Sequence, residues 1–137
     1  MVLVDTSIWS LALRRKSKDL AVAERRLTES LYRMVDDEQV LLLGPVRQEL
    51  LSGLREESEF KRLRGLLRGF PDVPISTHDY EEAARFSNRC RRAGIAATSV
   101  DMLLCAVALR QGWQIFTTDR DFNHYAAVLN INLIAVA

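Results

Sequence analysis

An α/β fold, a parallel central sheet flanked by helices on both faces, is the architecture this chain of 137 residues predicts. Three observations carry that reading. Short apolar runs alternate with stretches of helical periodicity along the whole length. The run Val40-Leu41-Leu42-Leu43 is continuously apolar, which fits a strand covered on both faces. The segment Ser99–Gln111 is apolar nearly all round, which fits a central, buried helix. The length suits a single domain with a real core, so residues 1–137 are read as one domain.

The elements run in order. Residues 2–5 form a short buried strand, and Thr6 or Ser7 caps a helix through Ile8, Trp9, Leu11 and Leu13. Asp19 opens a second helix, with Leu20, Ala23, Leu27, Leu31, Met34 and Val35 near helical spacing, and Asp36-Asp37-Glu38 ends it. After the strand at 40–43, Gly44-Pro45 starts a helix that carries Val46, Glu49, Leu50, Gly53 and Leu54. At about 100° per residue Glu49 sits at the edge of its buried stripe, off the free outer face. A further helix spans Glu57 to Leu67, and Pro71 and Pro74 bracket a turn before the extended piece Val73–Ser76. Thr77 caps the next helix, with Asp79, Glu81 and Glu82 in its early turns, and Gly94 ends it. Gly112 stops the apolar helix, Trp113–Thr117 is a strand, a short helix starts near Asp121, and Ile131–Val136 is the last strand.

Composition narrows the function classes. Hydrophobic residues make up 48% and charged residues 27%, an ordinary globular balance. No apolar run approaches the ~20 residues of a membrane helix. The first positive cluster, Arg14-Arg15-Lys16, comes after the apolar start, the reverse of a signal peptide, so the expected compartment is the cytoplasm. Cys90 and Cys105 show no CxxC spacing and read as reduced, buried thiols; with only His78 and His124 besides, a Cys/His zinc site is not supported. The net charge of +1 gives no large global field, but the basic residues are mostly Arg and clustered, as at Arg85-Arg89-Arg91-Arg92. Arg offers a planar fork suited to phosphate; a solvated helix face is the plainer reading of each cluster.

Four carboxylates, Asp5, Glu49, Asp101 and Asp119, are the candidate functional residues. Asp5 ends the first apolar run and Asp119 comes directly after Ile115-Phe116-Thr117-Thr118. Glu49 lies early in one helix and Asp101 in the first turn of another. A parallel α/β fold brings such positions to the carboxyl edge of its sheet, where ligands bind. Each acid has a plainer role: Asp5, Asp101 and Asp119 as helix caps, Glu49 as a half-exposed helix residue. Together they would repel one another unless a cation sat among them. Mg²⁺ or Mn²⁺ suits such hard oxygen donors, and the chemistry suits phosphodiester hydrolysis. Thr6, Ser7 and Thr118 are candidate supporting groups, and Asp121 is either a fifth acid or a cap. Nucleotide-binding loops, a nucleophile elbow and the second Asp of a haloacid-type phosphatase are all missing.

Four pieces in order carry a family resemblance: Val4-Asp5-Thr6-Ser7-Ile8-Trp9, Gln48-Glu49-Leu50-Leu51-Ser52-Gly53, Val100-Asp101-Met102-Leu103-Leu104-Cys105-Ala106, and Thr117-Thr118-Asp119-Arg120-Asp121-Phe122. The chain resembles PIN-domain ribonucleases, specifically the VapC toxins of bacterial VapBC pairs, across almost its whole length. No single piece is specific; the four in order are. The resemblance implies a metal-dependent endoribonuclease, with Mg²⁺ or Mn²⁺ held by Asp5, Glu49, Asp101 and Asp119, and most often by the first and third of these. It also implies a cognate VapB-type antitoxin, homodimerisation, and tRNA or rRNA as substrate. Arg91 and Arg92 are the expected RNA contacts. The alternative is a non-catalytic PIN-like module that grips RNA or a protein.

Overall fold

Strand β1 (Val2–Val4) opens the computed structural model, which describes residues 1–135. Next are α1 (Thr6–Leu13), a 3-10 turn (Ser17–Asp19), α2 (Val22–Asp36), β2 (Val40–Leu41), α3 (Gly44–Leu51) and α4 (Glu57–Leu67). Then come α5 (Thr77–Arg92), α6 (Ser99–Gln111), β3 (Gln114–Phe116), α7 (Asp121–Ala126) and β4 (Asn132–Leu133). The strands form one parallel sheet in the order β2-β1-β3-β4. In the register of β3 and β4, Gln114 faces Asn132 and Ile115 faces Leu133. The expected α/β class is the observed one.

By internal contacts the chain forms two compact units. The unit Val4–Val73 holds α1 to α4. Its Trp9 is fully buried, donates from Nε1 to the Val4 carbonyl at 3.1 Å, and meets Phe70 edge-on at 5.0 Å between ring centroids. Arg47 of α3 ties down the end of α4 and the turn after it. Its Nε donates to Asp72 at 2.8 Å, another guanidinium nitrogen donates to the Leu67 carbonyl at 3.0 Å, and a third reaches the Phe70 carbonyl.

The other unit comprises Met1–Leu3 and the chain from Pro74 onward. Its core is the pair α5 and α6. Seven residues of α6, Met102 to Ala108 without a break, are buried, as its all-round apolar sequence requires. Gly112 ends α6 at φ 71°, a left-handed conformation that glycine adopts without a Cβ penalty. Asp79, buried in α5, takes a two-pronged contact from Arg110 of α6 at 2.5 and 2.9 Å.

Several boundaries differ from expectation for local reasons. Asp5, not Thr6 or Ser7, caps α1, because its carboxylate accepts from the Ser7 backbone N–H. The second helix opens at Val22, since Asp19 closes the 3-10 turn and Glu24 folds back to accept from the Ala21 N–H at 2.9 Å. The strand at 40–43 is cut to two residues: Leu42 makes an isolated parallel bridge to Asp72, and Leu43 already caps α3. Helix α3 stops at Leu51, short of Gly53 and Leu54. The Ser52 hydroxyl donates back to the Gln48 carbonyl at 2.7 Å, and Gly53 takes φ 82°. Ser76 rather than Thr77 caps α5, in a reciprocal box with Asp79. Strand β3 ends at Phe116 because the Thr117 hydroxyl turns to accept from the Asp119 N–H at 2.9 Å. The last strand is only Asn132–Leu133, and the Val136 end expected for it lies outside the described residues.

Candidate functional site

In the unit Val4–Val73, three of the expected residues share one short helix start. Asp5 is buried, 7% exposed, directly after β1. Its Oδ2 accepts from the Ser7 hydroxyl at 2.8 Å and, more weakly, from the Ser7 N–H at 3.4 Å. The cap fixes which way the carboxylate points. Thr6 turns elsewhere, its hydroxyl donating to Glu49 Oε2 at 2.9 Å. One hydroxyl residue thus orients each of the two acids, Ser7 for Asp5 and Thr6 for Glu49. Glu49 is more exposed than its helical angle suggested, although Val46 and Leu50 beside it are buried.

The other unit gathers Asp101, Asp119 and Asp121 around a residue that sequence reasoning did not single out. Asp101 is the third residue of α6, with its backbone N–H on the Thr98 hydroxyl at 3.1 Å. The Thr98 half of the expected capping box is therefore formed. The Asp101 Oδ2 accepts the phenol O–H of Tyr125 at 2.7 Å. Burial pushes the Tyr125 phenol well above its ordinary value of 10.0; the Asp101 hydrogen bond and the charges of Asp101, Asp121 and Asp119 raise it further. Near neutral pH the phenol is therefore a neutral donor. Asp119 is exposed and accepts the Asp121 N–H at 2.9 Å, so it turns the chain into α7, and its charge adds to the rise of the Tyr125 phenol. Asp121 is exposed in the first turn of α7, where a negative charge suits the helix dipole. Thr118 is exposed. The buried partner of the Asp119 loop is Thr117, its neighbour.

A signal for Tyr125 did exist. It stands four residues after Asp121 and three after Phe122, on the inward face of a helix with Phe122 also fully buried. A buried tyrosine needs a partner for its hydroxyl, and an acid is a strong one.

Arg91 and Arg92 lie exposed in the last turn of α5, where their charge also suits the helix C-terminus. Cys90 is buried, its thiol 4.0 Å from the Met102 sulfur, and Cys105 is buried in α6. His78 and His124 are both exposed on helices. Among the described residues no three histidine, cysteine, aspartate or glutamate side chains stand ready to hold a metal ion. Hydroxyl groups donate to Asp5 and Glu49 in one unit and to Asp101 in the other, and ionised carboxylates are the hard oxygen donors that small divalent cations take. No helix among the described residues is long and apolar enough to cross a membrane.

Comparison with known proteins shows the family of the chain. The PIN domain family model matches residues 2–128. The VapC ribonuclease Mb1587 of Mycobacterium bovis and ribonuclease VapC11 of Mycobacterium tuberculosis are each 31% identical over 133 residues, 96% of this chain and of theirs. Among solved structures, FitAcB from Neisseria gonorrhoeae is similar at TM-score 0.76 with 18% identity, covering 98% of this chain and 97% of the other. VapBC2 from Rickettsia felis, bound to a DNA fragment from its promoter, is similar at TM-score 0.75 with 14% identity, covering 98% of each chain.

Proposed function

Because the chain belongs to the PIN-domain family, we propose that it is an endoribonuclease acting as the toxin of a toxin–antitoxin pair. The observation that carries this is end-to-end likeness, 31% over 96% of the chain, to proteins named VapC ribonucleases. A VapB-type antitoxin is the partner, in line with the VapBC complexes among the similar structures.

The finer reading is metal dependence. Asp5, Glu49, Asp101 and Asp119 would hold Mg²⁺ or Mn²⁺, and the donor set fits: carboxylates and hydroxyls, with no sulfur or imidazole in the set. When bound, the cation would lower the pKa of an attacking water and offset charge developing on the phosphate. The protein's own part is orientation. Ser7 holds Asp5, Thr6 holds Glu49, Tyr125 holds Asp101, and the Asp119 loop is closed by Thr117 and Asp121. The whole chain is one PIN domain in this reading, a homodimer in the cytoplasm, with tRNA or rRNA as substrate.

The test is cleavage of end-labelled total RNA by the purified chain, with Mg²⁺, with Mn²⁺, and with chelator. Defined fragments that need the metal are the expected result. RNA bound but left whole under all conditions would favour the non-catalytic module instead.

A second expected result concerns the RNA path. Reversing both Arg91 and Arg92 to Glu weakens RNA binding, measured in chelator so that nothing is cut. The slope of log affinity against log salt falls by roughly 1.4, the loss of two single-strand phosphate contacts. An unchanged slope places the path elsewhere.

A further inference from the structure

Tyr125 spends a buried hydroxyl on one particular acid. Its ring is fully buried and packs edge-on against Phe122, with centroids 5.1 Å apart and planes at 70°. Its carbonyl closes the turn after α7, accepting from the Val128 N–H at 3.0 Å and the Leu129 N–H at 2.7 Å. Ring and backbone are thus both held, and the hydroxyl is delivered to a fixed point. At that point it donates to Asp101 Oδ2 at 2.7 Å, a distance short enough for a strong bond to a carboxylate. Asp119 and Asp121 carry charges near the same phenol, but the short bond goes to Asp101.

Asp101 is held from two sides. Thr98 fixes its backbone N–H at the helix start, which sets where the side chain leaves α6. The direction of the carboxylate is then set by what its oxygens meet. The Tyr125 donor on Oδ2 restrains rotation of the carboxylate and so helps set where Oδ1 points. We propose that Tyr125 is a positioning residue, whose hydroxyl orients the Asp101 carboxylate for a divalent cation. This rests on the reading of Asp101 as a metal ligand. The competing account is that the acid merely satisfies a buried phenol. It predicts a change in stability and none in metal affinity.

Mn²⁺ binding without RNA separates the accounts. Free Mn²⁺ is counted by electron paramagnetic resonance against the full-length wild type, Tyr125→Phe and Asp101→Asn. The thermal midpoint of each is recorded in chelator. Tyr125→Phe keeps the ring against Phe122 and removes only the hydroxyl. Its expected Mn²⁺ dissociation constant rises by about 10-fold or more, the usual cost of losing a group that orients a ligand. The Mn²⁺ concentration for half-maximal RNA cleavage rises in step. Asp101→Asn loses tight binding altogether. Tyr125→Met, which also lacks the hydroxyl, is read in the same way if the Phe variant does not fold. If both hydroxyl-free variants bind Mn²⁺ within twofold of wild type while Asp101→Asn does not, the positioning role is wrong and the ligand reading stands. If Asp101→Asn itself binds as wild type does, the ligand reading fails and takes the positioning role with it.

Discussion

Asp101→Asn is expected to abolish RNA cleavage while leaving the protein folded. The two side chains have nearly the same shape, and Asn keeps a carbonyl oxygen that can accept the Tyr125 hydroxyl now on Asp101 Oδ2 at 2.7 Å. The backbone bond of residue 101 to Thr98 does not involve the side chain at all. What disappears is one negative charge. If the carboxylate holds a cation that stabilises several kcal/mol of charge on the phosphate, losing ~4 kcal/mol slows cleavage about 10³-fold. Stability moves the other way. Asp119 and Asp121 share the surroundings of Tyr125 with Asp101, so removing one of three like charges relieves repulsion. The expected melting temperature is equal to the wild-type value or slightly higher. Cleavage assays and thermal melts on the same preparation decide it. A folded variant that still cuts within tenfold of wild type removes Asp101 from the site.

Most of the acid-bearing pieces were legible in sequence because their signals are local. An apolar run that ends near Asp5 marks a strand leading into a helix, and that order holds, with the strand ending at Val4 and Asp5 as the cap in place of Thr6 or Ser7. The helix Ser99–Gln111 was readable to the residue, because a threonine cap, an all-apolar body and a left-handed glycine all lie within it or beside it. That Tyr125 is buried was legible, but that its hydroxyl goes to Asp101 was not. The hydrogen bond that gives it meaning spans 24 positions, and its own neighbours say only that it is buried. The extents of β2 and β3 were missed for a related reason. Apolar runs mark burial, but side-chain and bridge partners decide where pairing stops: Asp72 for Leu42, and the Thr117 hydroxyl for the Asp119 N–H. Glu49 shows the limit of a helical wheel: the angle places it beside Val46 and Leu50, but what packs against the helix decides burial, and Glu49 is exposed while they are not.

Arg110→Ala is expected to destabilise the fold more than any other substitution of an exposed or half-exposed charge in α5 and α6. Asp79 is 1% exposed and carries its charge there because Arg110 offers two nitrogens to its two oxygens, at 2.5 and 2.9 Å. The hydrogen bond from Arg110, ahead of the bonds from Ser76, holds the Asp79 carboxyl below its ordinary value of 3.8. Removing one partner of a buried pair costs ~3–5 kcal/mol, because a buried charge is left behind. Two features discount that here: the Arg110 side chain is 35% exposed, and the Ser76 cap still serves Asp79. A clear loss remains, on the order of several degrees in melting temperature for a domain of this size. The sign of the pH dependence comes from the lowered carboxyl. The stabilisation is fully present above the unfolded value near 3.8 and is lost as pH falls through the lower folded value. The gap between wild type and Arg110→Ala is therefore wide at pH 7 and closes below pH ~4. Arg110→Lys keeps the charge without the fork and recovers only part of the loss. Urea unfolding of the three proteins at pH 7 and pH 3 measures all of this. A gap under ~1 kcal/mol at pH 7, the worth of an ordinary surface pair, would mean that the packing of α5 on α6 alone holds the two helices together.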